Sequence, residues 1–499
     1  MELSIPFLLF SLSFIICILF IVKVGKRSNG RSKTWNLPPG PWKLPLIGSI
    51  HHLIGYIPHH RMRELAQKHG PIMHLKIGEV STIVVSSPEV AKEVLQTNDL
   101  NFADRPHQLG ADIMCYGSTD IATSPYGGYW KQLRKICTIE LLGATRVRSF
   151  QSIREEEVSK LITYISANTG SSINLSNKVA AMTSSITSRA SFGVKYKDQD
   201  AFISLMRKLV TLAEGFIIMD LFPSQKWLHI ISGMKPKLEK MHKQFDMIFE
   251  NIIAEVEKTG GEVETESLLS VLLNIKDHQD LGFPLTMNNI KAVILDMFVA
   301  GSETTSAVID WTMSEILKNP RVMIKAQEEV RKVFGSKGYS DETSLEDLKY
   351  LKAVIKETLR LHPPTPLLLP RECRETCDLK GYTIPVGTKV IVNAWAIGRD
   401  PEYWSEPEKF VPERFIDHPI DYKGFNMEYI PFGAGRRSCP GISFALPSIE
   451  LCLAQLLYYY NWDLPSGGIM ENIQMTEALG SSSRRASNLI LVPISHNHV

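Results

Sequence analysis

Residues 432–441 read Phe-Gly-Ala-Gly-Arg-Arg-Ser-Cys-Pro-Gly, and an apolar stretch that predicts a helix follows at residues 442–457. A thiolate at such a loop-to-helix junction is stabilised by backbone N–H groups and by the positive end of the helix, which lower its pKa. The glycines let the main chain approach a flat ligand, because no Cβ stands in the way. Arg436 supplies a fork-shaped donor that suits a carboxylate. The stretch therefore predicts that Cys439 binds a metal through its sulfur.

The spacing Phe-x-x-Gly-x-Arg-x-Cys-x-Gly in this stretch resembles the haem-binding loop of the cytochrome P450 family. The resemblance implies haem b as the cofactor and the Cys439 thiolate as the axial ligand of its iron. It also implies that Phe432, Gly435, Arg436 and Gly441 are the haem-binding residues of the loop. An axial thiolate pushes electron density onto the iron and favours cleavage of the O–O bond. A plain buried cysteine is the alternative.

The longest predicted helix runs from about Thr286, which has an N-cap residue type, to Lys318, where Asn319-Pro320 ends it. Residues 290–300 are apolar nearly all round, which is typical of a helix that is buried on every side. The resemblance implies that this helix forms the wall above the haem.

The centre of this helix reads Ala300-Gly301-Ser302-Glu303-Thr304-Thr305, which resembles the oxygen-activation motif of the family. The resemblance implies that Thr304 and Glu303 are catalytic. A threonine hydroxyl can pass protons to reacting oxygen, and a carboxylate linked to solvent can replace them. Asp296, Glu303 and Asp310 recur every seven residues, so a solvated acidic face is the alternative for Glu303.

Glu357 and Arg360 are one helical turn apart, a pairing that is common on helix surfaces and is weak evidence alone. Arg414 follows some fifty residues later, before the cysteine loop. This order resembles the family, in which the matching residues form a buried charge network that fixes the proximal loop. A buried pair needs such a third partner to offset its desolvation. The resemblance therefore implies a structural role for all three residues.

Three further residues resemble family positions that contact the haem propionates. Trp130 and Arg134 are four residues apart in a predicted helix, and Arg371 follows a proline-containing loop. An amphipathic surface helix is the alternative for the first two residues.

The substrate pocket is predicted to be mainly apolar, which suits a hydrocarbon-like substrate. Its candidate lining residues are Phe298, Ala300, Leu367 and Leu368, together with the loop at residues 102–121.

The amino terminus has the pattern of a membrane anchor. Residues 5–22 form an apolar run of about the length that crosses a bilayer, and five basic residues follow it by position 33. The positive-inside rule places the chain beyond residue 23 in the cytoplasm. A cleaved secretory signal peptide is the alternative.

The predicted domain organisation has three parts. Residues 1–24 form a signal-anchor transmembrane helix, residues 25–41 a basic linker and proline-rich hinge, and residues 42–499 one haem domain. The resemblance to microsomal members implies a single-pass protein of the endoplasmic reticulum membrane whose catalytic domain is cytoplasmic.

Periodicity predicts a mainly α architecture with small β-sheets, which is the fold class of the cytochrome P450 family. Hairpins are predicted at residues 73–86 and 381–393. Further helices are predicted at residues 149–167, 201–216, 234–258 and 321–334.

The sequence has no recognisable motif of its own for supplying electrons to the haem. The sequence contains no dinucleotide-binding glycine motif after a strand, no phosphate-binding loop and no iron–sulfur cysteine spacing. A separate NADPH-dependent reductase is therefore expected, with Lys131, Lys135, Arg436 and Arg437 as a basic landing site. The net charge of +2 argues against nucleic-acid binding.

The resemblance extends over the whole chain and is closest to plant microsomal enzymes of specialised metabolism, among them terpenoid-oxidising members. It implies a monooxygenase that inserts one oxygen atom of dioxygen into a lipophilic metabolite. Three alternatives remain open at this point. They are the same chemistry on an alkaloid or phenolic substrate, a haem-thiolate isomerase or dehydratase that does not activate dioxygen, and a haem-based sensor or binding protein.

Overall fold

Helices predominate in the computed structural model, which describes residues 35–193, 202–206, 208–209, 218–258, 267–278, 284–337 and 342–496. The α-helices of this part are α1 (Pro58–His69), α2 (Pro88–Lys92), α3 (Leu109–Met114), α4 (Gly128–Ile136), α5 (Ala144–Ser149), α6 (Gln151–Ser166), α7 (Leu175–Phe192), α8 (Ile218–Leu221), α9 (Leu228–Ile231), α10 (Met234–Lys258), α11 (Leu268–His278), α12 (Met287–Lys318), α13 (Pro320–Lys337), α14 (Lys349–Leu361), α15 (Ala394–Ile397) and α16 (Ile442–Tyr459). The strands are β1 (Ile72–Ile77), β2 (Val80–Val85), β3 (Ile173–Asn174), β4 (Arg371–Glu372), β5 (Cys377–Leu379), β6 (Tyr382–Ile384), β7 (Lys389–Val392), β8 (Tyr460–Asp463) and β9 (Ile490–Ser495). Single 3-10 or π-helical turns lie at Ile50–His52, Glu93–Thr97, Cys137–Leu141, Glu342–Asp347, Pro412–Phe415, Gly435–Arg437, Pro465–Gly467 and Met470–Asn472.

The predicted fold class, mainly α with small sheets, is confirmed. The helices predicted at residues 149–167, 234–258 and 321–334 correspond to α6, α10 and α13. The predicted anchor at residues 1–24 and the linker up to residue 34 lie outside the described residues, as does more than half of the helix predicted at residues 201–216.

Helix α12 is the central element and has the predicted bounds. Thr286 caps it in a reciprocal capping box with Asn289, and Pro320 begins the next helix after the cap residue Asn319. Most of its residues between 290 and 317 are buried, and it packs against α7, α14 and α16. A long apolar helix in this position must bury all its faces, so it forms the axis of the core.

Two helices of the described chain, α12 and α16, are long and apolar enough to cross a membrane. More than half of the most apolar window of each is buried inside the protein. Both are therefore core helices.

The largest sheet has the strand order β1-β2-β7-β4. The hairpin predicted at residues 73–86 is confirmed as β1 and β2, which turn at Gly78 with a φ of 63°. Along β2, Ile83 and Val85 join one apolar cluster and Val84 joins another. Because side chains alternate across a strand, this sheet separates two parts of the core.

The hairpin predicted at residues 381–393 is wrong. Strand β6 pairs with β5, whereas β7 pairs in parallel with β2 and antiparallel with β4. A turn at Gly387, with a φ of 76°, redirects the chain between the two strands. Alternation along a strand does not specify which neighbour it pairs with, so the sequence pattern could not separate the two sheets.

The proline-rich hinge is attached to the large sheet. The backbone N–H of His74 in β1 donates a hydrogen bond to the carbonyl of Pro39 at 2.8 Å. Gly40 lies so close to this strand that an added Cβ would stand 2.0 Å from the carbonyl oxygen of His74. The described end of the hinge is therefore fixed to the body of the protein.

A buried charge network joins α14 to the loop that precedes the cysteine segment. The Arg360 guanidinium donates two hydrogen bonds of 2.8 Å to the Glu357 carboxylate, and both side chains are fully buried. Arg414 Nε and the backbone N–H of Val411 donate to the same carboxylate, at 3.1 and 2.8 Å. The structure thus brings together the three residues of the predicted network, and their mutual satisfaction offsets the desolvation of the charges.

Replacing Glu357 by glutamine should lower the free energy of unfolding by about 3 to 5 kcal/mol, because Arg360 and Arg414 would lose their anionic partner. Glu413→Gln is the matched control. Its partners, Arg321 and Lys325, are about half exposed, so its loss should change stability by at most about 1 kcal/mol. Urea unfolding followed by far-UV circular dichroism measures both effects, and equal losses would contradict the network.

Candidate active site

The loop around Cys439 is closed by its own backbone. The N–H of Cys439 donates to the carbonyl of Phe432 at 2.9 Å, and the N–H of Gly441 donates to the Cys439 sulfur at 3.3 Å. Helix α16 begins at the next residue, Ile442. The sulfur therefore lies at the positive end of a helix and already accepts one hydrogen bond from the backbone.

A glycine is required at position 435 of this loop. Gly435 has a φ of 70°, and an added Cβ would stand 2.1 Å from the carbonyl oxygen of Leu95 and 2.8 Å from the carboxylate of Asp99. Gly433 has a φ of 69°, and an added Cβ there would stand 3.7 Å from Leu368. The loop is therefore pressed against neighbouring segments along its length.

Cys439 is surrounded by protein although its side chain is accessible, so its sulfur borders an internal cavity. Burial raises the pKa of the Cys439 thiol, whereas the Gly441 N–H and the charge of Arg134 lower it. Arg134 also donates to the carbonyl of Ser438 at 2.7 Å. Burial alone would keep the thiol neutral, and a bound metal cation would shift it to the thiolate.

Four arginines gather beside this cavity: Arg105, Arg134, Arg371 and Arg437. Burial, with repulsion from Arg371 and Arg134, lowers the pKa of Arg437 to about 10. Burial and the other three arginines also lower the pKa of Arg105. Such a concentration of buried positive charge has the chemistry of a site for a ligand with more than one carboxylate.

Most donors of this cluster bind backbone carbonyls. Arg437 donates to the carbonyls of Ala103 and Ser124 at 2.8 and 2.6 Å. Arg371 donates to Asp99 Oδ1 at 2.7 Å and to the carbonyl of Ala434 at 2.8 Å. The guanidinium groups are thus held in place by the main chain rather than neutralised by an equal number of acids.

Trp130 supports this cluster. Its ring is 4.0 Å from the Arg437 guanidinium carbon, and its indole N–H donates to the carbonyl of Ile121 at 2.9 Å. The structure thus places Trp130 and Arg134 on one helix, α4, beside the cluster. The indole N–H, however, is directed to the main chain.

Helix α12 passes the opposite side of the cysteine loop. An added Cβ on Gly301 would stand 3.5 Å from Phe444, which is in the first turn of α16. Ala300 is exposed and Thr304 is half-buried, although the helix is otherwise mostly buried. The Thr304 hydroxyl donates to the carbonyl of Ala300 at 2.5 Å. These two residues therefore form the accessible face of α12.

Glu303 faces a different side of the helix. With Ser184, Ser302 and Ser306 it lines a small cavity of about 30 Å³ between α7, α12 and residues 203–206. This volume holds one or two water molecules. The buried Ser302 hydroxyl has no protein hydrogen-bond partner, as expected for a group that binds water.

A solvated acidic face does not account for the acids of α12. Asp310 accepts a hydrogen bond from Ser176 at 2.7 Å, and burial raises its pKa. Burial also raises the pKa of Asp296 well above its usual value. These two acids are therefore partly withdrawn from solvent, and Glu303 is half-buried at the small cavity.

The structure places the predicted pocket residues in different surroundings. Phe298 packs against Phe202, with ring centroids 4.7 Å apart. Phe298 and Ala300 are two residues apart on α12, so their side chains point about 200° apart around the helix axis. Phe298 therefore faces another side of α12 than Ala300 and also lines the small cavity beside Glu303, and its place in the substrate pocket stays a prediction. Leu368 approaches the cysteine loop, and Leu367 packs against the sheet cluster.

Comparisons with known proteins agree with this geometry. The model of the family described as "Cytochrome P450" matches residues 38–490. The chain belongs to the cytochrome P450 family. It is 50% identical over 492 residues to premnaspirodiene oxygenase of Hyoscyamus muticus, covering 97% of this chain and 98% of that protein.

Two other relatives are similarly close. The P450 is 50% identical over 493 residues to 5-epiaristolochene 1,3-dihydroxylase of Nicotiana tabacum, covering 97% of each chain. It is 52% identical over 494 residues to desmethyl-deoxy-podophyllotoxin synthase of Sinopodophyllum hexandrum, covering 98% of this chain and 97% of that one. A zebrafish cytochrome P450 solved with progesterone has a TM-score of 0.76 at 26% identity, covering 89% of this chain and 100% of that one.

The cofactor of this family is haem, and the residues of the site fit it. Cys439 offers a sulfur ligand from a glycine-containing loop, and the buried arginines offer charge to the propionates. Arg105 and Arg437 were not assigned to the haem by sequence reasoning. Arg105 lies in Phe102-Ala103-Asp104-Arg105-Pro106, a segment that also resembles the family, so a signal was present.

The structure does not place Arg436 among the inward arginines, so its contact with a propionate stays a prediction. The Arg436 guanidinium is half exposed and donates to Asp99 Oδ2 at 3.2 Å and to the Tyr126 hydroxyl at 3.1 Å. Arg437 is the inward arginine, because adjacent residues of a 3-10 turn point in different directions. Counted from Phe432, the arginine of the Phe-x-x-Gly-x-Arg spacing also falls at 437.

Gly435→Ala should reduce the haem content of the purified P450 severely, because the new Cβ would collide with the backbone of Leu95. Gly381→Ala is the control, since Gly381 has a φ of 81° and nothing within 4 Å of its added Cβ. It should cost only the backbone strain, about 1 kcal/mol, and retain haem. Haem per polypeptide is measured by the pyridine haemochrome method, and full haem content in Gly435→Ala would contradict the packing argument.

Proposed function

We propose that this cytochrome P450 is a membrane-anchored monooxygenase that inserts one oxygen atom of dioxygen into a terpenoid hydrocarbon or a terpenoid derived from it. The observation that carries the proposal is the accessible Cys439 sulfur inside the protein, together with the accessible Ala300–Thr304 face of α12, a helix that meets the helix after Cys439 at Gly301 and Phe444. Two relatives at 50% identity support the substrate class, because their names describe oxidation of premnaspirodiene and 5-epiaristolochene.

An alkaloid or phenolic substrate is the second candidate. It stays open because the chain is 52% identical to a relative that is named for a different product, desmethyl-deoxy-podophyllotoxin synthase. Both candidates use the same haem-binding residues, so substrate turnover has to decide between them.

Haem supplies the oxygen-activating chemistry when it is bound, and the side chains of α12 supply protons. The Thr304 hydroxyl donates its one proton to the Ala300 carbonyl and keeps its lone pairs at the accessible face, so it can accept a proton there while passing on its own. Glu303 contacts the water-sized cavity on the neighbouring face and would replace protons from there. Thr304 would thus deliver protons on one face of α12, and Glu303 would resupply them from the neighbouring face.

The N-terminal assignments extend this proposal. Residues 1–24 would anchor the protein in the endoplasmic reticulum membrane by a single pass, and residues 25–41 would connect the anchor to a cytoplasmic haem domain at residues 42–499. The apolar run and the basic residues that follow it support this topology.

The test of the function uses microsomes that contain this P450 and a plant NADPH-dependent reductase. We expect NADPH-dependent oxidation of premnaspirodiene or 5-epiaristolochene, with one labelled oxygen atom in the product under ¹⁸O₂. Oxidation of alkaloid or phenolic substrates alone would favour the second candidate. An isomerised or dehydrated product without label would contradict a monooxygenase.

Thr304→Ala should lower product formed per NADPH by about tenfold or more and increase hydrogen peroxide release, because protons no longer reach the reacting oxygen in time. Thr304→Ser retains the hydroxyl and is expected to stay well coupled. Product and peroxide are measured in the same reaction. A fully coupled Thr304→Ala variant would show that the hydroxyl is not needed.

Electrons would come from the reductase through a basic surface beside the cysteine loop. Lys131 and Lys135 are exposed on α4, which contacts this loop through the bond from Arg134 to Ser438. Arg436 is half exposed on the same loop. Arg437, the fourth residue of the predicted landing site, is buried and does not belong to the surface.

Lys135→Glu should slow the first reduction of the P450 by its reductase, and the effect should be larger at low than at high ionic strength. Lys240→Glu, on the exposed side of α10, makes the same change of charge away from the cysteine loop. Stopped-flow reduction under carbon monoxide measures both rates. Equal slowing by the two variants would contradict a local docking surface.

A further inference from the structure

Asp296 is a half-buried acid of α12 that the proton-delivery scheme does not use. It lies four residues before Ala300 and eight before Thr304, so these three residues share one face of the helix. Eight residues correspond to about 12 Å along the helix axis. Asp296 is therefore near enough to the reaction site to shape it but is unsuited to deliver protons there.

The Asp296 carboxyl holds a loop. Its Oδ2 atom accepts hydrogen bonds from the backbone N–H groups of Ile121 and Ala122, both at 3.0 Å. These residues lie between α3 and α4, in the loop that the sequence analysis assigned in part to the substrate pocket. One side-chain oxygen of the central helix thus fixes two consecutive peptide groups of the loop.

The same segment is connected to the arginine cluster. The carbonyl of Ile121 accepts the Trp130 indole N–H at 2.9 Å and an N–H of Arg437 at 3.4 Å. The carbonyl of Ala122 accepts from Arg105 Nε at 2.8 Å. The two residues therefore lie between α12 on one side and the groups that fit the haem propionates on the other.

A second acid completes the arrangement. Asp120 is fully buried, and its carboxylate accepts hydrogen bonds from the N–H and the hydroxyl of Thr123, at 3.0 and 2.5 Å. Carboxyl oxygens of Asp120 and Asp296 lie within 4.8 Å of each other, with the Cys115 sulfur at the same distance or less. Two buried carboxylates this close cannot both ionise without a large repulsion.

The charge states follow from the partners. Burial first, and the charge of Asp120 second, raise the pKa of Asp296, whereas the N–H groups of Ala122 and Ile121 lower it. Asp120 receives the two Thr123 donors and lies near the positive Arg437 and Arg105. Burial of the Asp296 carboxyl beside Asp120 thus favours its neutral, protonated form.

We propose that Asp296 is a positioning residue: its carboxyl, which lies beside Asp120, clamps the Ile121–Ala122 segment and thereby sets the wall of the substrate pocket. The inference rests on the proposed monooxygenase function for its effect on substrate. The clamp itself does not depend on that function, so the two can fail separately.

Two variants separate the clamp from the charge. Asp296→Asn keeps an oxygen that accepts both backbone N–H groups, and it removes the charge of the carboxylate. Asp296→Ala removes the acceptor and leaves the N–H groups of Ile121 and Ala122 without a partner. Asp296→Glu keeps the carboxyl but displaces it by one methylene, and it decides the question if the alanine variant does not fold.

The first measurement is amide hydrogen exchange of the holoenzyme over residues 119–124, without substrate. We expect exchange at least tenfold faster in Asp296→Ala and Asp296→Glu, and exchange near the wild-type rate in Asp296→Asn. Unchanged exchange in both the alanine and the glutamate variants would overturn the clamp. Fast exchange in the asparagine variant, which keeps the acceptor oxygen, would also overturn the clamp.

The second measurement is turnover with premnaspirodiene as the probe. Asp296→Ala or Asp296→Glu should raise KM by about tenfold and change the ratio of oxidation products, while the ferrous carbonyl spectrum stays that of the wild type. Asp296→Asn should restore the wild-type product ratio. Absence of turnover in the wild type would count against the proposed function alone. A wild-type KM and product ratio in variants with fast exchange would overturn the role in positioning substrate.

Discussion

The backbone bond from Cys439 to Phe432 and the tight contact of Gly435 with Leu95 fix one sulfur atom at the edge of an internal cavity. The rest of the site depends on this constraint. Helix α16 starts at the end of the loop, and its residue Phe444 meets α12 at Gly301. The position of the sulfur therefore determines where the accessible face of α12 lies relative to it.

The buried charged residues of the protein form two different kinds of arrangement. In the network of Glu357, Arg360 and Arg414, acid and base satisfy each other inside the protein, which is what a structural network requires. In the cluster that contains Arg371 and Arg437, positive charge is in excess and is held by backbone carbonyls. The first arrangement stabilises the fold, and the second one is suited to an anionic cofactor.

Much of the fold could be predicted because strong local signals mark it. Thr286 and Asn319-Pro320 define the ends of α12, and Gly78 defines the first hairpin. The second hairpin was predicted wrongly, because the strands at residues 382–384 and 389–392 pair with distant partners. Pairing between strands is a property of the tertiary structure, and no local pattern carries it.

The sequence predicted which residues form the site better than it predicted the directions in which their side chains point. Cys439, Thr304 and Arg371 follow from spacing, and the structure places each of them beside the loop or the cavity. What spacing leaves open is which side a residue faces: the Arg436 guanidinium is half exposed, and Phe298 packs against Phe202. Helical rotation separates Phe298 from Ala300, and counting the motif from Phe432 places its arginine at 437, so the sequence held a signal for both.

The most direct test of this account is the absorption spectrum of the purified protein after reduction with dithionite and addition of carbon monoxide. A thiolate from Cys439 on the haem iron predicts a strongly red-shifted Soret band, which Cys439→Ser should lose. A wild-type protein that binds no haem, or whose carbonyl complex lacks the red shift, would contradict the account.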